Sequence, residues 1–511
     1  MFFVDSLATP KNYFSGIGYS EHCIILSLDG MIKYVAEHHN LLELQSGRYS
    51  LVHYDDNEQS SLIMADPTGQ DVLYYFQSSD YWAVSNSFYK LVEELKKKKI
   101  NTEIYLPGLY SYKIKHSLGG QPLNYNTLIC NIKILPRDYC IKIKSQTLIL
   151  EKRTYVLPNI TNVNEYRLTL HKVILSQISV LNTLVDLLPT QSVRCDLSGG
   201  MDSRVVFGIC SNIDNAAKKI KFASNRKLED DYFIAQKIAQ YFGIVLDNSS
   251  IGNYKQIVTD KEQFLLYKYG NSGVYDCIYK PHYVFTPKTL HVHGAGGESL
   301  RGQYLGSPRQ IMGRLKSYFS SEVEHNLVQK EFFNYFSNNN LDINDPRSMI
   351  NHYRDFRARF HFGRNWFRFL TNPLYTPLSD IRLESLSNYL SVSNKNSTMI
   401  FYDIYMFLHD ILAFFPFDDD KKNINLQKMK SVNIPLVKSE QNRKLTEYVV
   451  YGEFLENKID KDLISSIDTT LAVPFGELLN LEKDEFVKKF PSLSSGYSQM
   501  PHVYTILNLI D

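Results

Sequence analysis

The chain has 511 residues, with 56 Lys and Arg against 54 Asp and Glu and a formal net charge of +2 at pH 7. This length predicts about two to four domains, and so small a net charge argues against a dedicated nucleic-acid-binding protein. The mean hydropathy is −0.26 and no run of about 18 apolar residues occurs, so we expect no transmembrane helix. The six cysteines form no C-x-x-C pair, and no basic segment precedes an apolar stretch at the start, so we expect a cytoplasmic protein.

Residues 1 to about 158 are rich in short apolar runs separated by Gly, Pro and Asp turns, a pattern typical of antiparallel strands. A helix is predicted from Phe88 to Lys99, with its lysine-rich end in solvent. The predicted strands are Gly47–Tyr54, Ser61–Ala65, Val72–Phe76, Tyr81–Ser85, Thr127–Ile134 and Tyr139–Ile143. We therefore expect an antiparallel, β-rich N-terminal domain.

The polar stretch around residues 158–164 marks a predicted domain boundary, which divides the chain into 1–160 and 161–511. Apolar residues recur with helical spacing from Tyr166 to Leu187, and strands then alternate with helices. Strands are predicted at Ser192–Leu197, Lys219–Ala223 and Thr289–Val292, and helices from Ser203 and at Asp230–Phe242. This alternation predicts an α/β domain with a parallel sheet, followed from about residue 310 by a mostly helical part.

The segment Ser198–Ser203, which reads S-G-G-M-D-S, lies between a predicted strand and a predicted helix. Its two glycines allow close backbone approach to an anion, and the amide groups at the helix start favour negative charge. A carboxylate at Asp202 beside phosphates requires a bridging divalent cation, so the loop predicts a site for a nucleotide and Mg²⁺. The competing interpretation is a Ser/Gly turn that caps a helix.

The motif S-G-G-x-D-S resembles the loop of the N-type ATP pyrophosphatases, and within that class the chain resembles the asparagine synthetase family. The similarity spans nearly the whole chain, since Gly47–Val52, Asp66–Gly69 and Leu73–Tyr75 resemble that family's N-terminal glutaminase-type (Ntn) domain. The family resemblance implies an adenine nucleotide α-hydrolase-like fold for the synthetase domain. It also implies that the strand ending at Phe222–Ser224 contacts adenine through its backbone.

A second glycine-rich segment, Gly294–Tyr304, resembles the family's G-E-G-x-D-E-x-F-G-G-Y stretch. By position Glu298 takes the place of the second metal-binding acid, so the resemblance implies Asp202 and Glu298 as Mg²⁺ ligands and catalytic residues. The expected ATP-binding residues are Leu197, Ser198, Gly199, Gly200, Met201, Asp202, Ser203, Ala223, His293 and Gly294. The competing interpretation is a glycine-rich turn without a ligand.

Two departures from the family change the expected chemistry. Glutamine-hydrolysing members carry a cysteine as the mature N-terminal residue, whereas this chain has Phe2, so we expect no glutaminase activity. Ala295 replaces the family's catalytic Glu or Tyr, and an alanine cannot transfer a proton. Lys438 and Lys444 are the candidates for the family's late catalytic lysine.

Two arginines beside the motifs are additional cations. Arg204 and Arg301 either supply charge to a pyrophosphate leaving group or form surface salt bridges.

The sequence therefore predicts an ATP-dependent, AMP-forming ligase that adenylates a carboxylate and joins it to an amine, in surface-polysaccharide or natural-product biosynthesis. The alternatives are an intramolecular cyclase of the β-lactam or lasso-peptide type, and a nucleotide-binding pseudo-synthetase without turnover. A tRNA-modifying enzyme fits less well because the chain lacks the net positive charge that tRNA binding favours. The expected partners are a small-molecule, saccharide or peptide carboxylate and an amine, without nucleic acid or membrane insertion; whether the chain forms a homodimer is left open.

Overall fold

The fold was analysed in a computed structural model that describes residues 1–115, 118–249, 254–256, 260–270, 283–285, 288–302, 304–363, 373–392, 398–434, 445–454, 474–493 and 501–510. The N-terminal part consists mainly of strands, with three helices that cover them. These elements are β1 (Phe3–Asp5), β2 (Tyr13–Tyr19), β3 (Cys23–Ile25), α1 (Leu28–Ala36), β4 (Ser46–Asp55), β5 (Ser60–Ala65), β6 (Tyr74–Gln77), β7 (Trp82–Ser85), α2 (Phe88–Lys97), α3 (Leu106–Ser111), β8 (Ile132–Ile134), β9 (Tyr139–Lys144) and β10 (Thr147–Lys152).

Two sheets of the N-terminal part pack face to face. One has the strand order β1-β7-β6-β8, and the strands β10-β9-β5-β4-β2-β3 of the other are antiparallel to their neighbours. Val52 and Ile141 of one sheet meet Trp82 and Val84 of the other in a shared apolar core. Because α1 and α2 cover the outer faces, both sheets bury apolar side chains on two sides, which gives four layers.

Helices and short strands alternate in the part that follows. Its elements are α4 (Val163–Asp186), β11 (Val193–Asp196), α5 (Met201–Ser211), α6 (Ala216–Lys219), β12 (Ile220–Ala223), α7 (Glu229–Tyr241), β13 (Tyr254–Gln256), α8 (Asp260–Gly270), β14 (Tyr283–Phe285), β15 (Leu290–Val292), α9 (Glu298–Arg301), α10 (Pro308–Arg314), α11 (Glu322–Asn338), α12 (Ser348–His352), a π-helical stretch (Tyr353–Gly363) and β16 (Leu374–Tyr375). The remaining elements are α13 (Ile381–Val392), α14 (Met399–Leu408), α15 (Leu426–Ser431), β17 (Val449–Tyr451), α16 (Phe475–Lys489) and α17 (Pro501–Leu507).

The parallel sheet has the order β12-β11-β15-β16, and every pair in it is parallel, whereas β13 and β14 form a separate antiparallel pair. A further parallel bridge joins Phe222 to Leu246, on the far side of β12. The chain therefore runs outward from β11 in one direction and then returns to add β15 on the other side of β11. Such a reversal leaves a crevice at the carboxyl ends of the two central strands, where open α/β sheets usually bind ligands.

The last part of the chain returns to the N-terminal sheets. Strand β17 pairs in parallel with β3 and adds a seventh strand to the larger sheet. Phe486 of α16 and Leu507 of α17 belong to the same apolar core as α2. The prediction of a mostly helical end is confirmed, but it omitted this strand, because its partner lies more than 400 residues earlier in the chain.

Helix α4 is long and apolar enough to cross a membrane by length and composition. Polar residues interrupt its apolar ones, so the helix contains no uninterrupted apolar run of about 18 residues, and the expectation of no transmembrane helix stays a prediction. In its most apolar window 56% of the helix is buried inside the protein, and Leu170, Ile174 and Ile178 belong to the main core. This packing is that of a core helix.

Mixed α/β architecture, with antiparallel and parallel sheets, agrees with the sequence prediction. The helix predicted at Tyr166–Leu187 and the strands around the S-G-G-M-D-S loop agree within three residues with α4, β11, β12 and β15. The strand predicted at Thr127–Ile134 is mostly wrong, since only β8 at its end is a strand. The hydroxyl of Thr127 instead accepts from the amide of Ile129 at 3.2 Å and closes a turn.

Candidate functional site

The S-G-G-M-D-S loop joins β11 to α5, and its hydroxyl groups bond within the loop. The Ser198 and Ser203 Oγ atoms are 2.8 Å apart, and the Ser198 and Gly200 amides donate to the Oγ atoms of Ser203 and Ser198, respectively. The Gly199 amide donates to Oδ1 of Asp231 at 2.8 Å. This amide, which we expected to face an anion, thus ties the loop to the start of α7. Gly200 is the N-cap residue of α5 and provides no side-chain cap, so among the described residues the first turn of α5 is the part of the loop open to an anion.

A cavity of about 660 Å³ lies at the carboxyl ends of β11 and β15. The S-G-G-M-D-S loop forms one side, the glycine-rich segment after β15 a second, and the residues after β12 a third. Its lining residues are Arg194, Asp196, Leu197, Ser198, Gly200, Asp202, Ser203, Ser224, Asn225, Arg226, Lys227, Asn248, His293, Gly294 and Glu298. Most of the residues predicted to bind nucleotide therefore meet at one cavity, although Gly199, Met201 and Ala223 do not line it.

Asp202 and Glu298, the two predicted metal ligands, both lie close to Arg301. One guanidinium nitrogen of Arg301, Nη2, is 3.1 Å from Oδ2 of Asp202 and 4.0 Å from Oε1 of Glu298. The Tyr353 hydroxyl donates to Oε2 of Glu298 at 3.2 Å. The structure thus brings together two carboxylates that are almost a hundred residues apart in the chain.

Burial raises the pKa of Asp202 to about 7, because the nearby charge of Glu298 adds to the desolvation while Arg301 and Lys422 oppose it. Burial also raises the pKa of Glu298, against the charge of Arg301 and the hydrogen bond from Tyr353. Both carboxylates are therefore costly to keep charged without a further cation. This is the electrostatic setting in which a metal ion is stabilised.

The residues present fit a magnesium ion bound together with a phosphate. Oδ1 of Asp202 is buried and has no hydrogen-bond partner among the described residues, so it is available to a cation. No group of three or more His, Cys, Asp or Glu side chains in the described ranges is placed to hold a metal. Mg²⁺ prefers about six oxygen ligands and usually takes most of them from water and phosphate, so two carboxylates suffice in such a site.

The glycines of the segment after β15 are required by close packing against the S-G-G-M-D-S loop. A Cβ atom added to Gly297 would lie 2.2 Å from Oδ1 of Asp202, and one added to Gly294 would lie 3.2 Å from the Cβ of Asp202. Gly296 has a φ of +97° and touches Ser379. Ala295 between them is buried, and its amide donates to Nδ1 of His293 at 3.0 Å. The backbone therefore holds Glu298 and His293 at the cavity.

A charged triad on the parallel sheet was missed from the sequence. Nε of Arg194 contacts Oδ1 of Asp196, and Nε2 of His291 on the neighbouring strand contacts Oδ2, both at 2.8 Å. Burial tends to raise the pKa of Asp196, but the His291 ring and the Arg194 charge together hold it well below its usual range. The available signal was the V-R-C-D alternation of β11, since strands of a parallel sheet covered on both faces are usually continuously apolar.

Arg204 does not line the cavity and bonds to backbone carbonyl groups. It is fully buried, and its guanidinium donates to the carbonyls of Leu412, Phe415 and Pro416 and lies 3.6 Å from the centre of the Phe417 ring. The expectation of a surface salt bridge is therefore wrong for this residue, whereas a contribution of its charge to a leaving group stays a prediction. Its guanidinium also donates to the Gly199 carbonyl of the loop at 3.4 Å. The burial was unpredictable because its other partners are backbone carbonyls about 210 residues away.

Lys438 and Lys444, the two predicted late lysines, lie outside the described residues. A different lysine, Lys422, has a charge that lowers the pKa of Asp202. Lys422 pairs with both oxygens of Asp418 at 2.8 Å, and the Asp418 amide donates to the Gly199 carbonyl at 3.3 Å. The segment that carries Lys422 is thus attached to the S-G-G-M-D-S loop.

At the N-terminus, Phe2 is buried between the two N-terminal sheets. Its amide donates to Oδ1 of Asn86 at 3.0 Å, Nδ2 of Asn86 donates to Oγ of Ser50 at 3.3 Å, and that hydroxyl donates to Oδ2 of Asp71 at 2.5 Å. Asn86, Ser50 and Asp71 are all buried. An apolar ring thus stands where the family resemblance implies a nucleophile.

No protein-family model and no curated protein matches the sequence. Among solved structures, the chain is similar to glutamine phosphoribosylpyrophosphate amidotransferase from B. subtilis, solved with ADP and GMP. The identity is 10%, the match covers 58% of this chain and 50% of that chain, and the TM-score is 0.13. The match spans half the length of that enzyme, and a similarity this low carries no argument about fold or activity.

Proposed function

We propose that the chain is an ATP-dependent, AMP-forming carbon–nitrogen ligase of the asparagine synthetase type, with an N-terminal glutaminase-like domain that has lost its activity. The observation that carries the proposal is the placement of Asp202 and Glu298 across one cavity, at the carboxyl ends of β11 and β15 where the strand order reverses. The order of the parallel sheet, including the bridge to Leu246, is compatible with an adenine nucleotide α-hydrolase-like fold.

In this proposal different residues around the cavity bind the polyphosphate and the metal ion. The open first turn of α5 and the side chains of Arg226 and Lys227 attract the polyphosphate. Asp202 and Glu298 hold Mg²⁺, which neutralises charge on the departing pyrophosphate when it is bound. Lys422 adds positive charge next to Asp202. A carboxylate substrate is then activated as its acyl-adenylate.

Asp196 and His291 are our proposed substitute for the acid or tyrosine that Ala295 replaces. Nε2 of His291 lies 2.8 Å from Oδ2 of Asp196, and Asp196 lines the cavity whereas His291 lies next to it on β15. In the proposed tautomer Nε2–H donates to this carboxylate, which stays ionised and orients the ring. Among the described residues nothing bonds to its Nδ1, which remains a proton acceptor. In the proposed step the amine nitrogen attacks the acyl carbon of the adenylate, and a proton of the amine passes to Nδ1 of His291. AMP leaves with the electrons of the broken C–O bond.

The amine comes from solution or from the substrate itself, because the N-terminal part is proposed to have no glutaminase activity. Phe2 is buried and its backbone amide is already bonded to Asn86. We expect no glutamate from glutamine, with or without ATP. Cysteine-dependent release of glutamate by the purified protein would refute this part of the proposal.

Calorimetric titration with ATP, in the presence and absence of Mg²⁺, tests the proposal directly. We expect Mg²⁺-dependent binding by the natural protein and its loss in Asp202→Asn, with an unchanged circular dichroism spectrum. Exchange of labelled pyrophosphate into ATP, with amino acids, uronic acids and peptides as carboxylates, should then fall at least about a thousandfold in that variant.

The two alternatives give different results in the same experiments. Mg²⁺-dependent binding without exchange for any carboxylate supports a nucleotide-binding pseudo-synthetase. Equal ATP binding by the natural protein and by a folded Asp202→Asn variant removes the basis for the ligase. A product whose mass equals that of the substrate minus water identifies an intramolecular cyclase.

A further inference from the structure

The contacts of Arg301 make it an internal counter-ion of the carboxylate pair. Nη2 lies within 4.0 Å of both Asp202 and Glu298, with 3.1 Å to the former. The same guanidinium lies 5.6 Å from the ring centre of Phe401, a fully buried residue of α14. An aromatic face and two carboxylates thus hold the cation at the point where the two acids converge.

A divalent cation bound by both acids would compete with this guanidinium. Mg²⁺–oxygen distances are about 2.0–2.1 Å, so a shared ion draws both carboxylates inward, whereas the guanidinium nitrogen contacts them at hydrogen-bond length. Two cations at one carboxylate pair also repel each other strongly, because the side chains of Asp202, Glu298 and Arg301 are each less than a quarter exposed. The metal ion and the Arg301 guanidinium therefore cannot occupy the position between the two carboxylates at the same time.

We propose that Arg301 is a built-in competitor of the metal, which keeps the affinity of Asp202 and Glu298 for a free divalent cation low. The metal then binds well only together with a polyphosphate, which offers the guanidinium a new anionic partner and the metal its remaining ligands. This inference rests on the proposed function only in assigning the metal to this carboxylate pair. It makes Arg301 a positioning residue that couples metal binding to nucleotide binding.

Removal of the guanidinium should strengthen metal binding in the absence of nucleotide. We expect Mn²⁺, followed through the paramagnetic resonance signal of the free ion at mildly alkaline pH, to bind the natural protein weakly. Arg301→Leu should lower the Kd by at least about tenfold, and Arg301→Lys by less, since it keeps the charge. Arg314→Leu removes the same charge at a guanidinium that bonds the Leu305 carbonyl and should leave the Kd unchanged.

Two further measurements keep the outcome decisive. Thermal unfolding shows whether Arg301→Leu is folded, and Arg301→Lys provides a second test if it is not. In the double variant Arg301→Leu with Asp202→Asn, the gain in Mn²⁺ affinity should disappear. Unchanged Mn²⁺ affinity in a folded Arg301→Leu variant, or a gain that survives loss of Asp202, would overturn the inference. Failure of the ligase proposal is detected separately, as absent ATP binding or absent pyrophosphate exchange by the natural protein.

Discussion

Two clusters of buried polar side chains differ in whether a polar atom lacks a hydrogen-bond partner. At the N-terminus, Asn86, Ser50 and Asp71 bond to one another and to the backbone of Phe2, inside the contact between two sheets. At the switch point of the parallel sheet, Oδ1 of Asp202 is buried without a partner among the described residues, beside a cavity of about 660 Å³.

The difference shows that polarity by itself does not identify a binding site. A satisfied polar network rigidifies a core, whereas an unsatisfied buried carboxylate is costly unless something binds it. The comparison therefore predicts that changes at the N-terminal cluster affect stability and changes at the cavity affect binding. Three experiments test this division, beginning with the largest expected effect.

Glu298→Gln should lose the effect of Mg²⁺ on ATP binding, because a neutral amide is a poor ligand for a hard cation. We expect the affinity gained from Mg²⁺ to fall by about a hundredfold or more, while Glu298→Asp retains part of it. The melting temperature without ATP should not fall, since the change removes a buried charge that burial makes unfavourable.

Exposed Glu322 provides the matched control, and Glu322→Gln should behave as the natural protein. Natural Mg²⁺ dependence in a normally folded Glu298→Gln protein would show that Glu298 is not a ligand. A lowered melting temperature together with lost binding would instead indicate that the segment after β15 is structural.

Phe2→Ala should destabilise the fold and leave ATP binding intact. Phe2 is 7% exposed, and its ring centre is 5.1 Å from that of Tyr13, so truncation leaves a cavity between the sheets. We expect a loss of about 3–4 kcal/mol in urea denaturation, with the Kd for MgATP changed less than about twofold. Leu7→Ala is the control, because Leu7 is 70% exposed and its truncation should cost less than about 0.5 kcal/mol. A large loss of ATP affinity in Phe2→Ala would contradict the division.

The site residues that could be predicted from the sequence belong to short motifs whose geometry is set by their immediate neighbours in the chain. Ser198–Ser203 and Gly294–Glu298 each follow a strand and begin a helix, so their spacing alone indicates the geometry of the cavity edge. His291 was missed because its contact with Asp196 runs across two neighbouring strands, and a sequence does not specify which strands pair. Arg194 and Asp196 lie two residues apart on β11, but their ion pair has no role in the site without His291.

Longer-range features were also beyond prediction. Lys422 acts on Asp202 from a segment more than 200 residues later, and β17 joins a sheet whose other strands lie in the first 152 residues. The boundary predicted near residue 160 stays a prediction. It lies between β10 and β11, but a single boundary does not describe later segments that contact earlier parts of the chain.

The smallest expected effect concerns Asp71, whose carboxyl is buried beside Ser50. Burial raises its pKa from 3.8 to about 6, against the hydrogen bond from Ser50 and the charge of Arg48. The folded state therefore binds more protons than the unfolded state between those two pH values, so stability falls as the pH rises through this window. This difference in pKa between the unfolded and folded states lowers the free energy of unfolding by about 2–3 kcal/mol between acidic and neutral pH.

Asp71→Asn should remove that pH dependence and stabilise the protein at neutral pH by up to about the same amount, because the amide can still accept from Ser50 without a charge to desolvate. Urea denaturation of both proteins at several pH values between 4 and 7 measures this change in the free energy of unfolding. Glu58→Gln, at the exposed turn between β4 and β5, should change stability by less than about 0.5 kcal/mol at every pH. If Asp71→Asn instead lowered ATP affinity at unchanged stability, the N-terminal cluster would be coupled to the cavity, and the two regions would not be independent.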